Sequence, residues 1–296
     1  MRHPAERSLH LQRRLSAWNR QRLSPALPSS DWLERVVEDA ALLALEGRFV
    51  EDERRTVIER AAEAPRDADA FVAWFEALKE NGPGQKDPLF PWLAEVAPLN
   101  SMRWFLQQEV AGEAGFDDLV ALSQIKLPKV AKLEMARNYW DEMGQGHSGG
   151  MHGPMLELLS HALHLDPDCE EIVWESLALG NLMVALAMNR RYAYQSIGAL
   201  GVIELTAPGR AVQVNRGLKR LGFGGEARRY FALHATLDVK HSEAWNREVL
   251  RPLVAAEPAV AVALAEGALL RLNAGARCFD RYRHELGFDA AHGICA

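Results

Sequence analysis

The sequence predicts an all-α protein, and three observations carry that expectation. Apolar residues recur at spacings of three and four along most of the chain, no stretch alternates apolar and polar residues between hairpin turns, and the gaps between periodic segments are short. The first strong segment, Asp31-Trp-Leu-Glu-Arg-Val-Val-Glu-Asp-Ala-Ala-Leu-Leu, has Ser30 or Asp31 available as an N-cap. A second runs over about 68–78. The stretch Asn81-Gly-Pro-Gly-Gln-Lys-Asp-Pro then interrupts the period and divides the chain into an N-terminal helical extension, 1–83, and a main domain, 84–296. Beyond it the helical period returns over about 100–111, 116–123, 130–142, 154–165, 171–188, 193–205, 210–221, 227–249 and 258–286. No repeat period marks a solenoid.

Composition narrows the function classes. Of 296 residues 48% are hydrophobic, which suits a folded globular chain with a sizeable core. Lys and Arg number 34 against 40 Asp and Glu, a net charge of −6, so the basic footprint of a general nucleic-acid binder is missing. Cys169, Cys278 and Cys295 are neither closely spaced nor even in number, so no disulfide framework or CxxC zinc site is expected. The Arg-rich N-terminus has no apolar run of secretory type, and a cytoplasmic protein is expected. The most apolar stretch, 254–272, is broken by Glu257, Pro258 and Glu266, so it reads as a buried helix and not a membrane span. Trp32, Val36, Leu42 and Leu43 offer an apolar face, either to cover the main domain or to form a homodimer contact.

The residues that carry chemistry are carboxylates and imidazoles on helices that otherwise face inward. In Tyr230-Phe-Ala-Leu-His-Ala-Thr-Leu-Asp-Val-Lys-His-Ser-Glu-Ala-Trp, the spacing of His234, Asp238 and His241 puts Asp238 about 40° and His241 about 20° from His234 around a helix. That stripe lies beside Phe231, Leu237 and Trp245; taken alone it is equally a hydrogen-bonded core face or a solvated one. Further along the same line, Glu142 ends one helix and His152 begins the next across a glycine-rich turn that reverses the chain. Those glycines read as loop geometry and not as a phosphate cradle, since no strand or P-loop lysine accompanies them. Glu109 lies in Trp104-Phe-Leu-Gln-Gln-Glu-Val, and Glu204 sits in an apolar run where an unpaired carboxylate is costly. Together these seven side chains are the donor inventory of a dinuclear iron or manganese site in a helical bundle, with iron suiting the donor set. They do not follow the Glu-x-x-His spacing of ferritin-like bundles. His147 lies in the glycine loop five residues before His152, and the spacing favours His152 as the ligand; His161 and His164 read as exposed or structural, and Arg190, Arg191 and Tyr192 as a solvated face or salt-bridge partners, although an arginine pair is also able to hold a substrate carboxylate. Trp104, Phe105, Tyr139, Trp140, Phe231 and Trp245 are expected in the core around the site, and Lys240 and Glu243 in water.

From about Pro88 to Arg283 the chain resembles the haem-oxygenase-like diiron oxidases and oxygenases, a family of iron-containing redox enzymes. The resemblance rests on the blocks PLFPWL, MRWFLQQEVAGEAGFDDLVALS, ARNYWDEMGQGHSGGMH, ELTAPGRAVQVNRGLKRLGF and FALHATLDVKHSEAW. The family's ligand positions fall on Glu109, Glu142, His152, Glu204, His234, Asp238 and His241. The resemblance implies a haem-oxygenase-like seven-helix bundle, here preceded by the extension, that binds two often labile iron ions and takes dioxygen as cosubstrate. It implies a small-molecule substrate, amino-acid-derived or a fatty acid, and leaves room for an external electron donor. The same bundle also hosts other activities. His3 and His10 are poorly placed for a haem ligand, and no cysteine sits where a thiaminase-type nucleophile would be needed. A metal-free oxidase and a non-catalytic helical binding or scaffold protein are the alternatives.

Overall fold

The computed structural model describes residues 4–166 and 170–287. In chain order the helices are α1 (Pro4–Leu23), α2 (Trp32–Arg55), α3 (Ile58–Ala62), α4 (Ala68–Asn81), α5 (Leu89–Glu95), α6 (Leu99–Gly112), α7 (Phe116–Ser123), α8 (Lys129–Glu142), α9 (His152–Leu163), α10 (Trp174–Met188), α11 (Ala193–Arg220), α12 (Arg229–Trp245), α13 (Arg251–Ala256) and α14 (Val260–Glu285). No strand occurs among the described residues; the single bridge pairs Met143 with Met151. The fold is an all-α helical bundle, as the periodicity predicts.

The axis of the bundle is α11, which packs along α14, α12 and α5, while α10 lies against α1, α6 and α14. Helix α10 is buried over nearly its whole surface, because Leu177, Leu182, Met183, Val184 and Leu186 leave it no polar face. Two glycines set the closest crossing. A methyl group at Gly198 of α11 would overlap the Leu264 carbonyl of α14, and one at Gly267 of α14 would overlap the Gln195 carbonyl of α11. The backbones touch there, which holds the two longest helices in one register.

Three elements depart from the periodicity. The sequence predicts a break between Leu205 and Arg210, yet α11 runs through Pro208 without one. Packing on three neighbours overrides the local cost; what Pro208 does remove is the N–H that would bind the carbonyl of Glu204 one turn back. The apolar stretch 254–272, read as one helix, is divided at Glu257, where α13 ends in extended backbone before α14 begins. Helices α1, α3 and α5 form where no periodic segment marks them. After α12 the chain makes a π-helical turn over Asn246–Leu250, a local irregularity often found beside functional sites.

Residues of the extension share the main core: Leu15, Trp18, Phe49, Phe71 and Phe75 are buried with Leu182, Leu200 and Leu269. Buried polar contacts tie them in. Asn19 Nδ2 donates to Asn181 Oδ1 (2.9 Å), Asn181 donates to the Gln12 carbonyl (2.9 Å), and Arg54 grips buried Glu266 through Nε and Nη2, both at 3.0 Å. On α2 the outer face stays open, with Trp32, Val36 and Leu43 about half exposed or more. No helix of the described residues is long and apolar enough to cross a membrane.

Candidate metal centre

The site begins where α8 ends. Gly144 takes a left-handed conformation (φ +61°), and a side chain there would collide with Gly150, so the turn closes on itself between Met143 and Met151. This hairpin-like reversal sets Glu142, the last residue of α8, against His152, the first of α9: His152 Nδ1 lies 2.5 Å from Glu142 Oε2. Both side chains are buried.

The other donors come from α11 and α12. Glu204 projects from α11, where Asn138 Nδ2 donates to its Oε1 at 2.6 Å and His241 Nδ1 approaches it at 3.5 Å. On α12, His234 Nδ1 donates to the Tyr230 carbonyl (2.7 Å), leaving Nε2 free, and His241 Nε2 donates to Asp141 Oδ2 (3.2 Å), leaving Nδ1 free. Each imidazole is thus oriented by a bond from its other nitrogen, the arrangement that fixes ligating histidines. His152 and His234 meet edge to face with centroids 4.6 Å apart. Two groups of ligand atoms result, each within 4.8 Å: Glu142 with His152 and His234, and Glu142 with Glu204 and His241. Glu142 belongs to both.

The electrostatics are those of a donor set short of positive charge. Burial, then the neighbouring Glu204, pushes Glu142 up to about 9, and burial with Glu204 and Glu142 pushes Asp238 up to about 10. Burial holds His152 and His234 neutral, each down to about 4. For His241 burial acts downward too, but Glu204 and Asp141 outweigh it and raise it to about 9. Asp238 Oδ1, His152 Nδ1 and His241 Nδ1 are buried without a hydrogen-bond partner; the close approach of His152 to Glu142 lacks hydrogen-bond geometry. Buried imidazole and carboxylate atoms without hydrogen-bond partners fit a cation of the iron or manganese type, which would displace their protons.

A cavity of about 210 Å³ opens onto these groups, lined by Glu142, His152, Glu204, His234 and Asp238 together with apolar side chains including Phe105, Leu156, Ile203 and Phe231. Of the seven predicted residues, five form the two groups, Asp238 lines the same cavity, and Glu109 lines it without joining either group. Glu109 is surrounded by protein yet open to the cavity, and burial raises its carboxyl against the opposing pull of Arg271, Arg210 and Tyr282. Sequence reasoning missed Asn138, Asp141, Arg210, Arg271 and Tyr230. Only Arg271, which shares the apolar run of α14 with Glu266, carries a signal of the kind that marks Glu204.

The remaining expectations resolve by position. His147, His161 and His164 are exposed, as are Lys240 and Glu243. Arg190 binds the carbonyls of Ser123 and Ile125, Arg191 pairs with Glu51, and Tyr192 donates to Glu51, so none of them lines the cavity. Phe105 and Trp245 are buried, but Trp140, expected in the core, is half exposed and packs beneath Gly146, because the turn it supports lies at the surface. Cys278 is buried and lines the cavity, contrary to the expectation that no cysteine sits there, because α14 forms part of the wall; burial pushes its thiol up to about 12. Cys169, Cys295 and His3 lie outside the described residues.

Residues 103–276 match the family model described as iron-containing redox enzyme. The chain belongs to this family. As an iron-containing redox enzyme it is an oxidoreductase built on a haem-oxygenase-like helical bundle, with a Glu/His cluster that fits iron. Among solved structures it is similar to a CADD-like protein of unknown function from Nostoc punctiforme PCC 73102, at 16% identity and a TM-score of 0.49, covering 85% of this chain and 99% of that one. No curated protein matches the chain.

Proposed function

We propose that this iron-containing redox enzyme is a non-haem diiron oxygenase or oxidase that uses dioxygen to oxidise a small organic substrate. The observation that carries the reading is Glu142, one carboxylate shared by two ligand groups, which is the placement of a residue bridging two cations. Glu142, His152, Glu204, His234 and His241 would hold the metals, with Asp238 and Glu109 completing the set from the cavity wall. When bound, iron would supply the electrons and the open coordination positions that dioxygen chemistry needs.

The protein's own groups do the rest. Asp141 and the Tyr230 carbonyl hold the rings of His241 and His234 in fixed orientations, and Asn138 fixes one oxygen of Glu204. Raised carboxyls on Glu142 and Asp238 keep protons while no cation is bound and release them on binding. Phe105, Leu156 and Phe231 line the wall against which the substrate is oriented and water excluded.

Anaerobic titration with ferrous iron tests the proposal. Two irons per chain are expected, followed by a transient visible absorption on exposure to oxygen; binding of one iron or none would overturn the diiron reading.

A further inference from the structure

We propose that Arg210 and Arg271 form a carboxylate-binding subsite in the same cavity, so that the substrate is a small carboxylic acid with an apolar body. Both guanidiniums line the cavity that holds Glu142, His152 and His234. Arg210 stands over the rings of Phe90 and Phe279, at 6.0 and 5.6 Å from their centroids, and spends one donor on the Thr206 hydroxyl at 3.1 Å. Both rings lie within cation–π range of the guanidinium, while most of its five N–H donors stay unused. Arg271 makes no hydrogen bond or ion pair within 4 Å among the described residues, and its buried Nε has no partner. It has been given room: a side chain on Gly275, one turn along α14, would press on Arg271 Nη1 at 2.9 Å.

Two like charges held together in a protein interior need an anion. Glu109 and Glu113 act on the arginines across the cavity, but neither carboxylate makes an ion pair within 4 Å with Arg210 or Arg271 among the described residues. Glu113 accepts from the backbone N–H groups of Ala114 and Gly115, at 3.2 and 3.1 Å. Burial and the neighbouring Arg271 pull Arg210 down to about 10 against the opposing effect of Glu109, so an incoming carboxylate relieves a repulsion as well as filling donors. The proposal rests on the diiron reading in one respect: cations on Glu109 and its neighbours would remove the remaining negative charge that the arginines feel.

Size and lining set the rest of the ligand. Arg210 and Glu204 both lie on α11, and six residues correspond to about 9 Å along a helix axis. A cavity of about 150 Å³ takes benzene; one of about 210 Å³ with Phe105, Leu156 and Phe231 in its wall suits an acid of phenylpropionate size, with or without an α-amino group.

The experiment titrates 3-phenylpropionate, its primary amide and L-phenylalanine into the full chain, with and without Mn(II), by calorimetry. The acid is expected to bind at least about tenfold tighter than the amide, which for one charge-assisted pair is about 1.4 kcal/mol. Arg271→Gln should abolish that preference and Arg271→Lys retain part of it, at an unchanged melting temperature; Arg210→Gln should act the same way if it folds. L-phenylalanine binding as tightly as 3-phenylpropionate assigns the site to amino acids, and weaker binding assigns it to simple acids. No saturable binding of either acid, or an acid preference that survives Arg271→Gln, overturns the proposal. Mn(II) occupancy, read by electron paramagnetic resonance in the samples given Mn(II), reports on the metal reading separately: acid preference in a protein that binds none of the added Mn(II) would overturn that reading and leave the subsite standing.

Discussion

Glu142 Oε2 and His152 Nδ1 stand 2.5 Å apart across a turn in which both flanking glycines, Gly144 and Gly150, are in contact range of each other. The end of α8 and the start of α9 are therefore one structural unit, and Glu142 is its pivot: it faces His234 of α12 on one side and Glu204 of α11 on the other.

That shared position makes Glu142 the most sensitive donor. Glu142→Ala should reduce bound iron to well under one per chain, whereas Glu204→Ala, which touches one group, should leave about one. Iron quantified after desalting, with circular dichroism to confirm helicity, checks both; equal losses in the two variants would count against a bridging role.

Asp141 acts through His241. Asp141→Ala removes the acceptor at 3.2 Å from Nε2 and with it one cause of the raised basicity of that imidazole. Loss of such an orienting partner typically weakens metal affinity by about 10- to 100-fold. Competition with a chromophoric chelator measures it, and the melting temperature of the metal-free variant should change little because Asp141 is partly exposed.

Stability of the metal-free protein should fall with rising pH above about 6.5. Glu142 and Asp238 hold protons to about 9 and 10, mainly through burial, and His241 to about 9 where Glu204 and Asp141 outweigh burial. Between about pH 6.5 and 9 the folded state therefore binds more protons than the unfolded chain, and each of the three groups loses its stabilising contribution as the pH climbs. Below about 6.5 the depressed His152 and His234, each near 4, act oppositely to the two raised carboxyls and offset them. Melting curves in chelator from pH 5 to 9 should show the decline, and Mn(II) should reverse it, since metal binds the deprotonated donors. A flat profile in chelator would contradict the assigned protonation states.

Gly144→Ala tests the turn. Its left-handed backbone and the contact with Gly150 leave no room for a methyl group, so a cost of about 1–3 kcal/mol is expected. Because His152 is displaced with the turn, metal affinity should fall along with the melting temperature. Gly198→Ala, far from the donors at the α11–α14 crossing, should lower the melting temperature without selectively weakening metal binding.

Much of the site was legible because a helix advances by a fixed angle. His234, Asp238 and His241 share a stripe by arithmetic alone, and a carboxylate inside an apolar run, as at Glu204, announces itself by its cost. Asn138 and Asp141 carry no such mark: next to Glu142 they read as an ordinary polar helix end, and only the approach of α11 and α12 gives them partners. Arg190 and Arg191 illustrate the converse, an adjacent pair whose geometry is spent on Ser123, Ile125 and Glu51. The break expected before Arg210 failed for a related reason, since packing along α14 and α12 holds α11 together across Pro208.

Periodicity, the absence of alternating segments and the order of seven donors were enough to establish the helical class and the candidate ligands, because both depend on local spacing. Which donors share an ion-sized space, that Glu142 belongs to two groups while Glu109 joins neither, and that Arg210 and Arg271 face the same cavity depend on how distant helices cross. Those crossings are set by backbone contact at Gly198 and Gly267 and by the closed turn at Gly144, contacts between residues far apart along the chain or folded back by a single left-handed residue.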